Sequence, residues 1–561
     1  MSQTRRTALT ALGLAGMAPA AFARSSPMTE APTGAPDLIL HGGRFTTLDR
    51  ANPNADAAAV KDGVFTAVGS AREIIPTAGP QTKIIDLGGR RVVPGLIDSH
   101  THVIRGGLNY NMELRWDGVP SLADAMAMLK TQAANTPPPQ WVRVVGGFTR
   151  HQFAEKRLPT LDEINAAAPE TPVFILHLYD RALLNRAALR AVGYTKDTPN
   201  PPGGEIQRDA AGEPTGMLIA QPNAMILYST LAKGPKLPEE YQLNSTRHFM
   251  RELNRLGVTS VIDAGGGFQN YPDDYEIIEK LHADGQLTVR LAYNLFTQKP
   301  KEELNDFKTW GKQVRPGQGD DYYRHNGAGE MLVYSAADFE DFRQPRPDMP
   351  ANMETDLEPV IRQLVEQRWP WRLHATYDET IDRALDVYEK VNQDKSLGGL
   401  RMYPAAQRQD RETALRLWTE ANTWFSNEEG KKGVIAVGRL ADLVVLDRDY
   451  FSVAEDEIVH IESDLTLLGG MVVWGAGDFS REAPPIPPPT PDWSPVRAFG
   501  GYHSTKTQER TGFFAKVAAA CGCATACGVH GHDHAATARL QAPAADHKSF
   551  WGALGCACWA V

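Results

Sequence analysis

Residues 92–102 read VVPGLIDSHTH, and this stretch decides the fold. Val92–Ile97 is an apolar run of the length and character of one buried strand. In a strand, residues two apart point to the same side. His100 and His102 therefore present two imidazoles to one side at the strand's carboxyl end, where a parallel barrel can hold a divalent cation. Two histidines so spaced also occur on ordinary surfaces, so the weight lies on the apolar run that delivers them. Upstream, residues 37–93 read as short alternating strands with turn residues between them, as in DLILHGGRFTTLD and AAAVKDGVFTAVG.

Downstream, strand-like and helix-like segments alternate. GVTSVIDAGGG, LTVRLAYNLF, GEMLVYSA and WPWRLHAT are strand-like runs. Phe249, Met250, Leu253 and Leu256 share a helical face; so do Leu357, Val360, Ile361, Leu364 and Val365, and then Ile381, Ala384, Leu385 and Tyr388. Such alternation predicts a parallel sheet, open or closed into a barrel. Residues 107–240 interrupt it with strands of their own, WVRVVGGF and TPVFILHLY, and read as an inserted subdomain. From Gly433 the pattern returns to short strands.

Several segments carry a family resemblance. VVPGLIDSHTH and GVIAVGRLADLVVLD (433–447) resemble the amidohydrolase superfamily. HLYDRALLNRAALRAVG (177–193), GGEIQRDAAGEPTGML (203–218) and LHATYDETIDRALDVYE (373–389) resemble its family 3 branch, which includes N-substituted formamide deformylases. The resemblance implies an α/β fold: a metal-dependent (β/α)8, TIM-like barrel over 94–432, with the insertion, plus a small β-sandwich composed of 37–93 and 433–480. It also implies metal ligands. His100 and His102 match the first-strand pair, His374 matches the histidine ending the fifth strand, and Glu330 is the candidate for the bridging fourth-strand acid. The implied cofactor is a divalent metal, zinc above all, as one or two ions. A cation so held lowers the pKa of a bound water to about 7, giving a hydroxide for attack on an amide-type carbonyl. The implied substrate is a small amide- or formamide-like molecule, cleaved at a non-peptide carbon–nitrogen bond.

Two expected residues are not found. The family places a further metal-binding histidine on strand six and a proton-transferring aspartate on strand eight. After His374, helical patterns occupy 379–391 and 411–425, and only Asn392–Asp410 lies between them. Three βα units need roughly 90 residues. This stretch has no histidine, and the next one is His460. The reading is a barrel missing strands 6–8, with a junction near 396–399. It arises from a degenerate gene, a sequence error, or completion by a second chain. Asp263 and Asp378 read as helix or loop caps, and no catalytic base is assigned.

The ends of the chain suggest export. Arg5-Arg6, an apolar stretch from Ala8 to Ala18, and Ala21-Phe22-Ala23 form a twin-arginine signal over 1–23, predicting a periplasmic or secreted protein. Losing it takes the net charge from -10 to -12. That acidity argues against a nucleic-acid partner. No internal apolar run reaches the ~18 residues of a membrane span. All five cysteines, Cys521, Cys523, Cys527, Cys556 and Cys558, lie in a Cys/His-rich tail (501–561) beyond a proline-rich linker over 481–500. Two rival readings follow: a catalytically dead pseudoenzyme, and a periplasmic metal-binding protein working through the tail.

Overall fold

The computed structural model describes residues 32–501 except 179, 202–203, 221–223, 267–268, 337, 339–348 and 396–409. The signal segment, the cysteine-bearing tail and the 396–399 junction lie outside the described residues.

The first strand after the start, Leu38–Thr46, organises the outer sheet. It pairs antiparallel with Asn54–Lys61, and on its other edge runs parallel to Lys83–Asp86 and then to Arg91–Pro94. The C-terminal strand Leu443–Leu446 adds antiparallel to Arg91–Pro94, and Ser463–Leu468 and Met471–Gly475 complete the order. The two chain ends therefore share one continuous eight-stranded sheet. The expected sandwich is corrected accordingly: one long strand with three partners ties both segments into a single ladder. Alternation explains its core, since Leu38, Leu40, Leu443, Val445, Leu465 and Leu467 all face one cluster.

The site-bearing sheet is parallel, in the order Tyr323–Ala328, Arg290–Leu295, Val258–Asp263, Leu96–Thr101. Helices Glu239–Arg255, Glu276–Ala283, Glu303–Gln313 and Met353–Gln367 pack Phe249, Ile278, Phe307 and Leu357 against it. Gly95 lets the first strand approach: a Cβ there would lie 2.2 Å from Thr259 Oγ1. Among the described residues the sheet does not close: it is an open arc rather than the complete (β/α)8 barrel that the resemblance implies. A fifth segment joins it through one parallel bridge, Ala328 to Trp371. WPWRLHAT is therefore a single bridge rather than a full strand. GEMLVYSA is not a strand either: Tyr323–Ala328 takes that place, and Tyr334–Ala336 is a 3-10 turn. Tyr323 stacks on Tyr293 with ring centroids 4.7 Å apart. Gly327 admits the neighbouring Pro370 carbonyl, 2.1 Å from where a Cβ would stand. Neighbour packing thus selects a polar sequence over the apolar run beside it.

Helix Asp378–Asp394 follows the fifth segment and buries Thr380, Ala384, Val387 and Val391. Ile381 on the adjoining stripe is exposed. The later pattern RETALRLWTEANTWF splits into a helix, Arg411–Leu417, and a 3-10 turn, Ala421–Ser426.

Between the first strand and Glu239 the chain builds a separate five-stranded sheet. Its order is Gly204–Arg208, Pro214–Ala220, Arg181–Leu184, Val173–His177, Val142–Val144. Val173–His177 is buried throughout, with apolar clusters on both faces. The proline-rich segment is a docked strap. Asn111 Nδ2 donates to the Thr490 carbonyl (2.8 Å), Asn244 Nδ2 to Thr490 Oγ1 (3.0 Å), Gln132 Nε2 to the Trp493 carbonyl (2.7 Å), and Ser494 Oγ to the Asn111 carbonyl (2.6 Å). Among the described residues no helix is long and apolar enough to cross a membrane.

Candidate metal centre

The parallel register aligns the strand ends. Asp263 pairs with Thr101 and with Tyr293, and Tyr293 pairs with His325. The segments leaving those ends therefore converge on one side. His100, His102 and Glu330 meet there, with one ligand atom from each lying within 4.8 Å of the others. His100 Nε2 is 2.9 Å from Glu330 Oε2, and His102 Nε2 is 3.6 Å from Glu330 Oε1.

The two imidazoles are held differently. His102 is buried at the start of helix Val103–Asn109, and its Nδ1 donates to the Gly265 carbonyl. Burial first, then the nearby Arg105 charge, lowers its pKa to about 3, so the ring is neutral. His100 is 42% exposed at its side chain. Its backbone N–H donates to Asp98 Oδ1 (3.0 Å), whose carboxyl is pushed up by burial. Burial also works to raise Glu330, but the three imidazoles of His100, His102 and His374 outweigh it and hold the carboxyl down to about 2.

These residues fit a divalent cation. With Nδ1 donating to Gly265, neutral His102 turns a lone pair on Nε2 toward Glu330. Glu330 Oε2 is buried and receives no well-aligned hydrogen bond. An imidazole lone pair and a buried carboxylate that face one another make an arrangement a cation resolves. Two imidazoles and a carboxylate are a zinc-type donor set.

His374 stands beside this cluster but outside its 4.8 Å group. Its backbone N–H donates to the Glu330 carbonyl (2.8 Å), and its Nδ1 to the Asp338 carbonyl (2.5 Å). Asp338 was not foreseen from sequence. Its carboxylate accepts from Thr376 N (2.8 Å), Thr376 Oγ1 (2.8 Å) and Tyr377 N (3.0 Å), clamping the turn after His374. Asp263 is a cap, as expected: it accepts from Ile104 N and Gly265 N, while burial raises its pKa to about 6. Asp378 opens helix Asp378–Asp394.

Comparison with known proteins agrees with this architecture. The profile of an amidohydrolase family matches residues 83–405 and 395–474. An N-substituted formamide deformylase from Arthrobacter pascens is 34% identical over 185 residues, 33% of this chain and 34% of that protein. The chain thus spans about a third of that relative's length. The putative amidohydrolase YtcJ from Bacillus subtilis is 25% identical over 530 aligned positions, 78% of this chain and 99% of the relative. An uncharacterized metal-dependent hydrolase from Pyrococcus horikoshii shares the fold at 17% identity with a TM-score of 0.51, covering 75% of this chain and 99% of that one. On the family match, which spans most of the chain and includes all four candidate ligands, the chain belongs to the amidohydrolase family.

Proposed function

We propose that the chain is a metal-dependent hydrolase of non-peptide carbon–nitrogen bonds in small amide- or formamide-like molecules. The observation that carries this reading is the convergence of His100, His102 and Glu330 within 4.8 Å. A divalent cation bound there polarises a carbonyl and acidifies a water. The chain's own part is to keep His102 neutral and in one tautomer, to keep Glu330 ionised, and to hold His374 alongside through Glu330 and Asp338. Zinc is the metal we assign, on the donor set.

The same proposal includes a weakness. No residue in the described site takes the place of the sixth-strand histidine or the eighth-strand aspartate. The family match falls in two pieces that meet at 395–405, which supports an internal shortening there. So does the YtcJ alignment, whose 530 positions outnumber the residues that the aligned 78% of this chain supplies. We therefore expect slow turnover at best. Metal analysis of the purified full chain tests the reading, against a His100→Ala/His102→Ala double variant that leaves the tail intact. The expected result is about one zinc ion fewer per double-variant chain. Equal zinc content in the two proteins refutes it. A screen of N-formyl and N-acyl amides then measures turnover, and rapid zinc-dependent hydrolysis would refute the weakness. Export by the twin-arginine segment belongs to the proposal too; a reporter fusion still exported after Arg5→Lys plus Arg6→Lys would sink it.

A further inference from the structure

Arg372 is a cation in the arc that the proposed chemistry does not use. Around the Ala328–Trp371 bridge the backbone stays laddered. Ala328 N donates to the Pro370 carbonyl (2.9 Å), Arg372 N to the Ala328 carbonyl (3.2 Å), and His374 N to the Glu330 carbonyl (2.8 Å). In so extended a run, alternate residues share a side. Trp371 and Leu373 pack against the apolar core, so Arg372 projects with His374 toward the opposite, metal side. There its Nη1 donates to the carbonyl of Ser99, the residue before His100. The guanidinium lies 5.4 Å from the centroid of the Phe425 ring.

The reach matters because of what flanks the first strand. Leu96–Thr101 is paired with Val258–Asp263 on one edge, and is the end of the described sheet on the other. On that other edge, Ile97 N donates to the Trp418 carbonyl (2.8 Å), and Asn422 Nδ2 donates to the Ile97 carbonyl (2.6 Å). Arg372 serves Ser99, at the histidine end. An edge strand with an unserved carbonyl frays more easily than an interior one. Of the two histidines, the half-exposed His100 has the greater need of a fixed backbone.

We propose that Arg372 is a positioning residue for the metal centre, holding the backbone of His100 in place where a neighbouring strand would otherwise supply the hydrogen bond. This rests on the reading of His100 as a ligand. Asn422 serves the same edge two residues farther from His100 and stabilises the fold without setting metal affinity.

The test is a zinc titration of the full chain against a competing chelator, with thermal melting in parallel. The zinc affinity that disappears in the His100→Ala/His102→Ala variant defines the site. Arg372→Met should weaken that affinity about 10–100-fold, the usual scale for residues supporting a ligand. Arg372→Lys, which keeps one donor, should recover part of it. Asn422→Ala should lower the melting temperature while zinc affinity stays within about twofold, a split that a merely structural role for both residues would not give. Unchanged zinc affinity in Arg372→Met, or in the shorter Arg372→Gln if the first variant does not fold, overturns the proposal. Equal weakening by Asn422→Ala overturns it as well. If the wild-type chain has no zinc affinity that the double histidine variant lacks, the metal reading itself has failed.

Discussion

The outer sheet and the open flank of the parallel sheet are held together by different means. In the outer sheet, backbone pairs with backbone from Met471–Gly475 through to Val64–Gly69, with apolar clusters on its faces. At the open flank, apart from the Ile97 N–Trp418 carbonyl bond, side chains do the joining. Arg372 reaches Ser99, Asn422 reaches Ile97, and Asn326 Nδ2 donates to the Phe425 carbonyl at 3.1 Å. Beneath them Glu428 is buried against Lys432 Nζ (2.6 Å), Ser426 Oγ (2.7 Å) and Arg324 Nη2 (3.3 Å). A ladder spreads its load over many equivalent bonds. A flank built from single side chains concentrates it, so one substitution there reaches further.

The largest expected effect is that of Glu428→Ala. It leaves the Lys432 ammonium buried beside Arg324, and should cost about 3–5 kcal/mol in urea unfolding. A loss under about 1 kcal/mol would show that the flank is not concentrated in this way. Leu467→Ala in the outer sheet comes next, at about 2–5 kcal/mol from lost packing. Its zinc affinity should match wild type, and a parallel loss of zinc would mean that the two regions are not separable. The third is Asp338→Ala, which frees the turn after His374; zinc affinity at the histidine site should fall about tenfold with little change in melting.

The smallest effect concerns pH. Burial acts to raise Glu428, but Lys432, Arg324 and Ser426 outweigh it and hold its carboxyl down to about 2. A group whose folded pKa is depressed contributes stability above its unfolded value that is lost as pH falls through the folded one. The contribution should therefore be whole above about pH 4.5 and fade toward pH 2. Urea midpoints between pH 5 and 3 should drop more steeply in wild type than in Glu428→Gln, and parallel slopes would contradict the assignment.

What could be read in advance follows the range of the forces involved. VVPGLIDSHTH disclosed both a strand and two histidines on one side, because hydrophobic runs and period-two geometry are local. Residues 433–447 disclosed the return to the first sheet for the same reason. The fourth strand was misplaced, because Tyr323–Ala328 owes its conformation to neighbours such as Tyr293 and Pro370, while Met331–Val333 offered a local apolar pattern with no strand to form. On helix Asp378–Asp394 the expected face holds at Ala384 and Tyr388 but includes the exposed Ile381 and omits the buried Val387 and Val391. Glu330 and His374 came from the family pattern rather than from chemistry. Arg372 and Asp338 gave no signal at all: they act on the main chain, Arg372 at a carbonyl 273 positions away and Asp338 at the N–H groups of Thr376 and Tyr377.

The strap over 484–495 has a consequence in time. It fastens the five-stranded insertion, through Asn111 and Gln132, to helix Glu239–Arg255, through Asn244, and Val496 and Phe499 continue into the two apolar clusters below. These partners are synthesised hundreds of residues before the strap. At the ~5–20 residues per second of synthesis, they wait for it for tens of seconds. The hydrogen bonds the strap adds across that seam, beside the Asn111 N–Ser245 Oγ bond already available there, are therefore the last to form.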